Sequence, residues 1–299
     1  MYEKFEYLLA LEREKHFGRA AQVCGVSQPN LSAALKQLEL QFGVMLVDRG
    51  ARFMGFTPEG LRILDWARSI VGEFRAMEAE IELMKLGNAG HLRIAAIPTA
   101  LPILSLLTNA YWARHPGVHV SISSCTSAEV LSRLDNLEAD IGITYFDLES
   151  VGRNAELPLY HERYCLIAAR DMAMMDRPTV TWEEVAKMPL CLPLADTQNR
   201  RIYDRIFKEI GVTVQPALES NDYTVRISHL RGGRLATVMP RIMAGDWAMP
   251  AELVAVPIVA PETSTLIGLI YPKRDPMPPL TVAMISEARQ LVPVLTAMS

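Results

Sequence analysis

The chain has 299 residues, of which 50% are apolar and 21% are charged, and its formal net charge is −4. This composition is typical of a globular protein with room for two or three domains, and it excludes a basic coat over the whole molecule. Because no run of about 18 apolar residues occurs and the N-terminus carries no export signal, we expect no membrane span and a cytoplasmic location.

The residues that build common catalytic and metal sites are scattered. The sequence holds no nucleophile elbow, P-loop, HExxH or dinucleotide fingerprint, and its six histidines form neither a triad nor a metal spacing. The cysteines lie far apart without a CxxC pair, which disfavours a zinc site and a disulfide framework. We therefore expect that the protein is not an enzyme and that it binds neither a metal ion nor a cofactor.

The N-terminal segment predicts three helices in close succession. An apolar stripe from Phe5 to Leu11 marks the first helix, and Arg19 to Cys24 form the second. Gly25 suits the end of that helix, because glycine enters the left-handed region without strain. Ser27 then caps the third helix, with Pro29 in its first turn.

The third helix has one apolar face, which runs from Leu31 to Phe42, and a polar outer face. A short helix, a turn and a capped helix with a polar outer face are typical of a helix-turn-helix. The stretch from Gly18 to Thr57 holds four basic and two acidic residues, a net charge of +2 that supports DNA binding only weakly.

A hairpin and a long helix follow. Gly43 to Thr57 predict a β-hairpin wing around a Gly-Ala-Arg tip, and Pro58 opens a helix that runs to about Leu86. A long apolar stripe on such a helix predicts pairing with a partner helix. The stripe consists of Leu61, Leu64, Ile70, Val71, Phe74, Met77, Ile81 and Met84.

From His91 onward, apolar strands alternate with helical segments, which predicts an α/β domain with a largely parallel sheet. Strands are expected at HLRIAAI, HVSISS, ADIGITY, RYCLIAA, LCLPL, LATVMP and TLIGLIY. Helices are expected near 182–187, from Arg200 to Ile210, and at the C-terminus.

The segment FGRAAQVCGVSQPNLSAALKQLELQFGVMLVDRGARFMGFTPEG resembles the signature of LysR-type transcription regulators, and a looser similarity extends to the C-terminus. The resemblance implies an α/β protein with an N-terminal winged helix-turn-helix (1–58), a linker dimerisation helix (59–86) and a two-lobed, periplasmic-binding-protein-like effector domain (91–299). Lobe one covers about 91–161 and 266–299, and lobe two about 162–265. Cys24, Ala33, Phe53 and Phe56 depart from the usual pattern, which leaves open which bases are read.

A LysR-type protein is expected to bind double-stranded DNA at an interrupted palindrome as a homodimer or homotetramer, to act with RNA polymerase, and to respond to a small-molecule effector between its lobes. Gln28 is placed to read adenine, Ser32 a base or phosphate, and Arg52 a narrow minor groove. Lys36 and Arg49 suit phosphate contacts. The predicted DNA-binding residues are Ser27, Gln28, Pro29, Asn30, Ser32, Lys36, Arg49 and Arg52.

The effector is predicted to be a small carboxylate or another small anion, because strand ends that run into helix N-termini offer unpaired N–H groups. Arg200 or Arg201 is placed to neutralise its charge. The predicted effector-binding residues are Thr99, Ala100, Thr126, Ser127, Gln198, Asn199, Arg200, Val238 and Pro240.

Three alternatives stay open. A regulator of the same fold would sense redox state through Cys125, whereas four small buried cysteines are the plainer explanation. An enzyme on a two-lobed scaffold would need a catalytic motif, and none is visible. A solute-binding protein would carry an export signal and would not need residues 1–86.

Overall fold

The computed structural model describes residues 1–49, 53–86, 90–146, 154–246 and 249–298. The helices in these ranges are α1 Tyr2–Glu14, α2 Phe17–Val23, α3 Gln28–Phe42, α4 Pro58–Leu86, α5 Leu101–Arg114, α6 Ser127–Asp135, α7 Trp182–Val185, α8 Gln198–Glu209, α9 Tyr223–Leu230, α10 Arg241–Asp246 and α11 Pro279–Met298. A short 3-10 helix, Pro98–Ala100, precedes α5. None of the described helices is both long and apolar enough to cross a membrane.

The strands are β1 Val47–Arg49, β2 Phe53–Phe56, β3 Gly90–Ala96, β4 Val118–Ser124, β5 Ile141–Tyr145, β6 Asn154–Glu162, β7 Tyr164–Ala169, β8 Val180–Thr181, β9 Cys191–Leu192, β10 Leu218–Glu219, β11 Thr237–Pro240, β12 Leu253–Ala260 and β13 Thr265–Pro272.

Helices α1, α2 and α3 pack around one apolar core, as the sequence predicts for a helix-turn-helix. Leu8, Leu11 and Leu31 are fully buried in it. The turn between α2 and α3 passes through Gly25 at φ +68°, where a side chain would be strained. Ser27 Oγ accepts the backbone N–H of Asn30 at 3.3 Å, so the predicted N-cap of α3 is confirmed.

The wing is fixed to α3 by a buried carboxylate. Glu39 Oε1 accepts the backbone N–H groups of Leu46 (3.0 Å) and Val47 (3.3 Å), where the chain enters β1. Thr57 Oγ1 then donates to the Met45 carbonyl and accepts the N–H of Gly60, which closes the start of α4. A Cβ on Gly60 would lie 2.0 Å from the Leu46 carbonyl oxygen, so this approach requires glycine.

The apolar residues of α4 do not form one stripe, which corrects the sequence prediction. Leu64 and Val71 are buried in the core of the helix-turn-helix, together with Ala67. Five exposed apolar residues form a separate face, Trp66, Ile70, Phe74, Met77 and Ile81, whereas Leu61 is exposed on another side of the helix. The side chain of Met84 lies outside the described residues. Apolar residues recur at spacings of three and four on both the buried and the exposed side of α4. The spacing in the sequence therefore does not tell which of them face the core.

Lobe one is built on a five-stranded sheet of order β4-β3-β5-β13-β6. Strands β4, β3 and β5 are parallel, whereas β13 runs antiparallel to both β5 and β6. Its edge strand β6 was not predicted. Helix α5 and helix α11 cover this sheet, with Tyr111 and Ala288 fully buried between them.

Lobe two is built on a four-stranded sheet of order β11-β7-β12-β8. Strand β7 is antiparallel to both of its neighbours, so the expected largely parallel sheet is wrong for this lobe. The sequence prediction missed β12, because this segment contains a proline and its alternation of apolar and polar residues is interrupted. It also missed helix α9. A buried aromatic cluster, with Trp182 and Tyr203 at its centre, packs beneath the sheet.

The chain crosses between the two sheets at two places. Strand β6 ends at Glu162 just before β7 begins, and β12 is followed by β13, which begins at Thr265. The predicted lobe boundaries fall at these crossings, and we retain them, with the 1–58 and 59–86 segments, as our proposal for the domain division.

Lobe one also contacts the N-terminal domain through the turn after α6, Asn136–Glu138, here called the Leu137 turn. Leu137 has φ +59° and is only 5% exposed, because its side chain packs into the helix-turn-helix core. Its carbonyl oxygen accepts Arg75 Nη1 (3.0 Å) and Arg93 Nη1 (2.7 Å), and Glu138 pairs with Arg13. Lobe one and the N-terminal helix-turn-helix therefore share a buried contact within one chain.

Candidate functional site

The predicted DNA-reading residues lie on one exposed face at the start of α3. Gln28, Pro29 and Asn30 are exposed in its first turn, and Ser27 caps it. Such a turn presents side chains directly to a major groove when the helix enters it end-on. Gln28 has an amide that donates to and accepts from adenine, whereas Pro29 offers only an apolar surface.

The remaining predicted DNA contacts lie further along. Ser32 is half-buried one turn after Gln28, and Lys36 is exposed one turn after that. Arg49 ends β1 at the base of the wing. The side chain of Arg49 and the whole of Arg52 lie outside the described residues, so their predicted contacts stay predictions.

A second site lies between the lobes. A cavity of about 350 Å³, here called the interlobe cavity, opens where the ends of the lobe-one strands face α8 and α9. Five of the nine predicted effector-binding residues line it: Thr99, Thr126, Ser127, Gln198 and Asn199. The other lining residues are Ile97, Pro98, Ser124, Cys125, Glu129, Tyr145, Pro193, Thr197, Asn221, Asp222 and Tyr223.

Four predicted residues lie elsewhere. Ala100, Val238 and Pro240 are buried in the lobe cores. Arg200 is also buried, and its guanidinium pairs with Asp204 and Glu219 and donates to the Pro193 carbonyl. The idea that Arg200 neutralises an anion in the cavity is therefore corrected, since Arg200 does not line the cavity and its charge is already compensated by Asp204 and Glu219.

Arg201 does not take over that role. Its Nη1 donates to Gln198 Oε1 (3.2 Å) and its Nη2 to the Asp196 carbonyl (2.9 Å). In the described part of the chain, no lysine, arginine or histidine lines the interlobe cavity. An anion bound there would have to be held by N–H groups and hydroxyls.

The two carboxylates at the cavity are already used as helix caps. Glu129 accepts the N–H and the hydroxyl of Thr126 in a capping box at the start of α6, and these bonds lower its pKa. Asp222 accepts the N–H groups of Val225 and Thr224 at the start of α9, which lowers its pKa in the same way. Both carboxylates therefore add negative charge to the cavity wall.

The hydrogen-bonding groups left for a ligand are neutral. Ser127 Oγ lines the cavity, is buried and has no hydrogen-bond partner among the described residues. Thr197 precedes α8 but turns its hydroxyl to the Leu194 carbonyl (2.7 Å) instead of capping the helix. The N-terminus of α8 therefore points its partial positive charge at the cavity without a side-chain acceptor from its cap residue.

Behind two lining residues of the cavity, Thr99 and Tyr145, lies a buried acid that the sequence prediction missed, Glu162. Tyr145 OH lies 3.0 Å from Thr99 Oγ1 and donates to Glu162 Oε1 at 3.4 Å. Burial raises the pKa of Glu162 to about 8, although hydrogen bonds from Thr99, Tyr145 and Tyr164 oppose the shift. A glutamate directly before the predicted strand RYCLIAA, at the predicted boundary between the lobes, was the available signal.

Cys125 lies in the wall of the interlobe cavity, as predicted, but its environment is not that of an activated thiol. It is buried, and burial raises the pKa of its thiol, with Arg133 acting in the opposite direction. A reactive thiolate requires a lowered pKa. The described residues show four free cysteines and no disulfide.

Comparison with known protein families matches almost the whole chain. Residues 2–61 match the model of the bacterial regulatory helix-turn-helix protein, lysR family. Residues 85–293, more than half of the chain, match the LysR substrate binding domain.

Individual relatives agree with the family models. The hydrogen peroxide-inducible genes activator of Escherichia coli O6:H1 is 28% identical over 285 residues, which cover 91% of this chain and 89% of that protein. The structure of a full-length OxyR variant from Pseudomonas aeruginosa superposes with a TM-score of 0.71 at 22% identity, covering 97% of this chain and 94% of the other. CbnR complexed with its target DNA gives a TM-score of 0.61 at 20% identity, covering 97% and 99%. At these identities the two structures show a shared fold.

Proposed function

The chain belongs to the LysR family of bacterial transcription regulators, and from this premise we propose how its two sites divide the work. It is a DNA-binding regulator whose activity a small molecule controls through the effector domain. We assign DNA reading to the exposed first turn of α3 and effector recognition to the interlobe cavity. The observation that carries the second assignment is that hydroxyl and amide groups from both lobes line the same cavity.

In the DNA-bound state, Gln28 contacts a base edge in the major groove, and Lys36 contacts a phosphate. Arg49 and Arg52 extend the contact along the wing, with Arg52 in the minor groove. The fold of the DNA complex of CbnR supports this use of the N-terminal domain. A gel-shift titration with an interrupted palindrome and with random DNA tests the assignment, because base contacts matter only for the specific sequence.

The effector we propose is a small anion, of which a small carboxylate is the simplest case. Ser127 Oγ and the N-terminus of α8 would hold it, beside Thr99 and Thr126, whose hydroxyls already bond to Tyr145 and Glu129. Because no basic side chain lines the described cavity and two carboxylates do, a single negative charge fits better than several. A thermal-shift screen of small carboxylates and inorganic anions tests this, with saturable stabilisation as the expected result.

Assembly and partners complete the proposal. The exposed apolar face of α4 supports pairing with a second copy, since a lone helix would leave Phe74 and Met77 in water. We propose a homodimer that associates further into a homotetramer, contacts RNA polymerase at its promoters and works in the cytoplasm, where the DNA is. The relatives are regulators, which supports a protein that is not an enzyme.

Redox sensing is the second candidate function, because a relative bears the name of a hydrogen peroxide-inducible activator. The thiol to test is Cys125, the one described cysteine in the cavity wall. Its raised pKa argues for the small-anion proposal instead. Cys125→Ser with an unchanged transcriptional response to peroxide would remove the redox candidate.

A further inference from the structure

A second, larger cavity lies between the linker helix and lobe one. It has a volume of about 720 Å³ and is here called the junction cavity. Helix α4 forms one wall, and β3 with the start of α11 forms the other. Its lining residues are Arg75, Ala76, Glu78, Ile81, His91, Leu92, Arg93, Leu137, Asp140, Arg274, Pro278, Pro279, Leu280 and Thr281.

Three arginines from three separate elements meet in this cavity, and two of them already have carboxylate partners. Arg93 on β3 makes a two-pronged contact with Asp140, at 2.7 and 3.2 Å. Arg75 on α4 donates to Glu6 at 3.0 Å. Both also hold the Leu137 carbonyl, so these two guanidiniums are fixed in place.

Arg274 differs from the other two. In the described part of the chain its guanidinium has one hydrogen-bond partner, the Gly72 carbonyl on α4 at 3.1 Å, and no ion pair. A Cβ on Gly72 would lie 3.1 Å from Arg274 Cζ and Nη2, so the glycine makes room for this approach. Burial lowers the pKa of Arg274, and Arg93 and Arg75 act in the same direction against Asp140 and Glu73. A partly buried cation with so little compensation is costly unless an anion joins it.

We propose that the junction cavity binds a phosphate-bearing small molecule, whose phosphoryl group pairs with Arg274 between Arg75 and Arg93. A phosphoryl group has three terminal oxygens, so it can accept from guanidiniums that approach from three sides, whereas a carboxylate is planar and has two. The cavity is much larger than a phosphate ion. Its apolar wall, which includes Leu92, Pro279 and Leu280, accommodates an organic remainder.

Such a ligand would act on the contact between the linker helix and lobe one. It touches Arg274 from lobe one and Arg75 from α4, so it would bind best when both elements are docked as they are here. The site is separate from the interlobe cavity and does not depend on the identity of the effector there. It would give the regulator a second chemical input.

The test is binding to the full-length protein, followed by thermal shift and isothermal titration. The probes are inorganic phosphate and phenyl phosphate, with benzoate as a carboxylate of matched organic body and sodium chloride for matched ionic strength. We expect saturable stabilisation by both phosphates. Arg274→Gln should weaken their binding by about 10- to 100-fold, the effect of losing charge-assisted hydrogen bonds.

Two further variants make the result decisive. Arg205→Gln removes an exposed arginine of α8 that lies outside both cavities, and it should leave phosphate binding unchanged. Gly72→Ala should weaken binding by displacing Arg274, while alanine maintains the helix. If Arg274→Gln lowers the protein's own stability too far, Gly72→Ala provides the same comparison.

Three outcomes would overturn the proposal. One is the absence of saturable binding by either phosphate at tens of millimolar. The second is equal loss of binding in the Arg274 and Arg205 variants, which would indicate general charge. The third is Arg274-dependent binding of benzoate as tight as that of phenyl phosphate, which would refute the phosphate class.

Discussion

Replacing Glu162 with glutamine would remove a titrating carboxyl that lies behind Tyr145 of the interlobe cavity, while keeping the shape of the side chain. Burial raises the pKa of Glu162 to about 8. In the unfolded chain the same carboxyl titrates near about 4.3. Between these values the folded protein holds a proton that the unfolded chain releases, so the contribution of Glu162 to stability falls as the pH rises.

The size of the effect follows from the shift. Within this window one group changes the free energy of unfolding by at most about 1.4 kcal/mol for each pH unit, and the total is on the order of 4–5 kcal/mol. Below about pH 4 both states are protonated and the penalty is absent, whereas above about pH 8 it is complete. Glutamine carries no such penalty, so the Glu162→Gln variant should gain stability relative to the wild type as the pH rises.

The assay is urea unfolding of both proteins from about pH 5 to about pH 9, followed by tryptophan fluorescence and circular dichroism. The difference in unfolding free energy between variant and wild type should increase across the range and level off at its alkaline end. Glu183→Gln, an exposed carboxyl on α7, serves as the control and should give a flat difference. A flat or falling difference for Glu162→Gln would refute the argument that burial controls this group.

Three other predictions concern the DNA face, assembly and the effector. Gln28→Ala should weaken specific binding by about 1–3 kcal/mol, whereas Lys36→Ala should weaken all sequences alike and flatten the salt dependence; equal losses on specific and random DNA in gel shifts would contradict these roles. Replacing Phe74 and Met77 with Asp should give monomers by light scattering, and an unchanged mass would count against pairing through α4. Ser127→Ala should weaken effector binding by about 1–3 kcal/mol, measured by titration calorimetry, and leave effector-free DNA binding intact in footprinting, because Ser127 Oγ is the unpartnered hydroxyl in the cavity wall; wild-type effector affinity would place the effector site elsewhere.

The fold of the DNA-binding domain was predictable because the sequence signals that define it are local. The cap at Ser27 and the left-handed turn at Gly25 each depend on the chemistry of one residue, and the structure has both. The sequence also predicted that strand ends and helix starts of lobe one and α8 would meet, since such ends collect at one edge of an α/β sheet, and five of the nine residues named for effector binding line the interlobe cavity.

The features that the sequence did not predict depend on contacts between distant parts of the chain. Arg200 lies in the first turn of α8, where the sequence suggested that it could bind an anion. Its guanidinium instead pairs with Glu219, nineteen residues further along the chain. Leu137 follows a polar helix with no sign in its neighbours that it packs against a different domain. Strand β12 pairs with β7, which lies far earlier in the chain. The alternation of apolar and polar residues in β12 is weak, so its own sequence does not predict a strand.

Helix α6 directly connects the interlobe cavity with the helix-turn-helix core. Its N-terminus, at Thr126 and Ser127, lies in the wall of the interlobe cavity, and the Leu137 turn follows its C-terminus. Nine helical residues span about 13–14 Å, too short for appreciable bending, and the capping box fixes the first turn. Because Leu137 is buried in the helix-turn-helix core and its carbonyl is held by two arginines, a shift of α6 cannot be absorbed at that end without changing the contact. A ligand that favours one position of the Thr126 end therefore also favours one placement of lobe one against the DNA-binding domain, which is the differential contact that effector control of DNA binding requires.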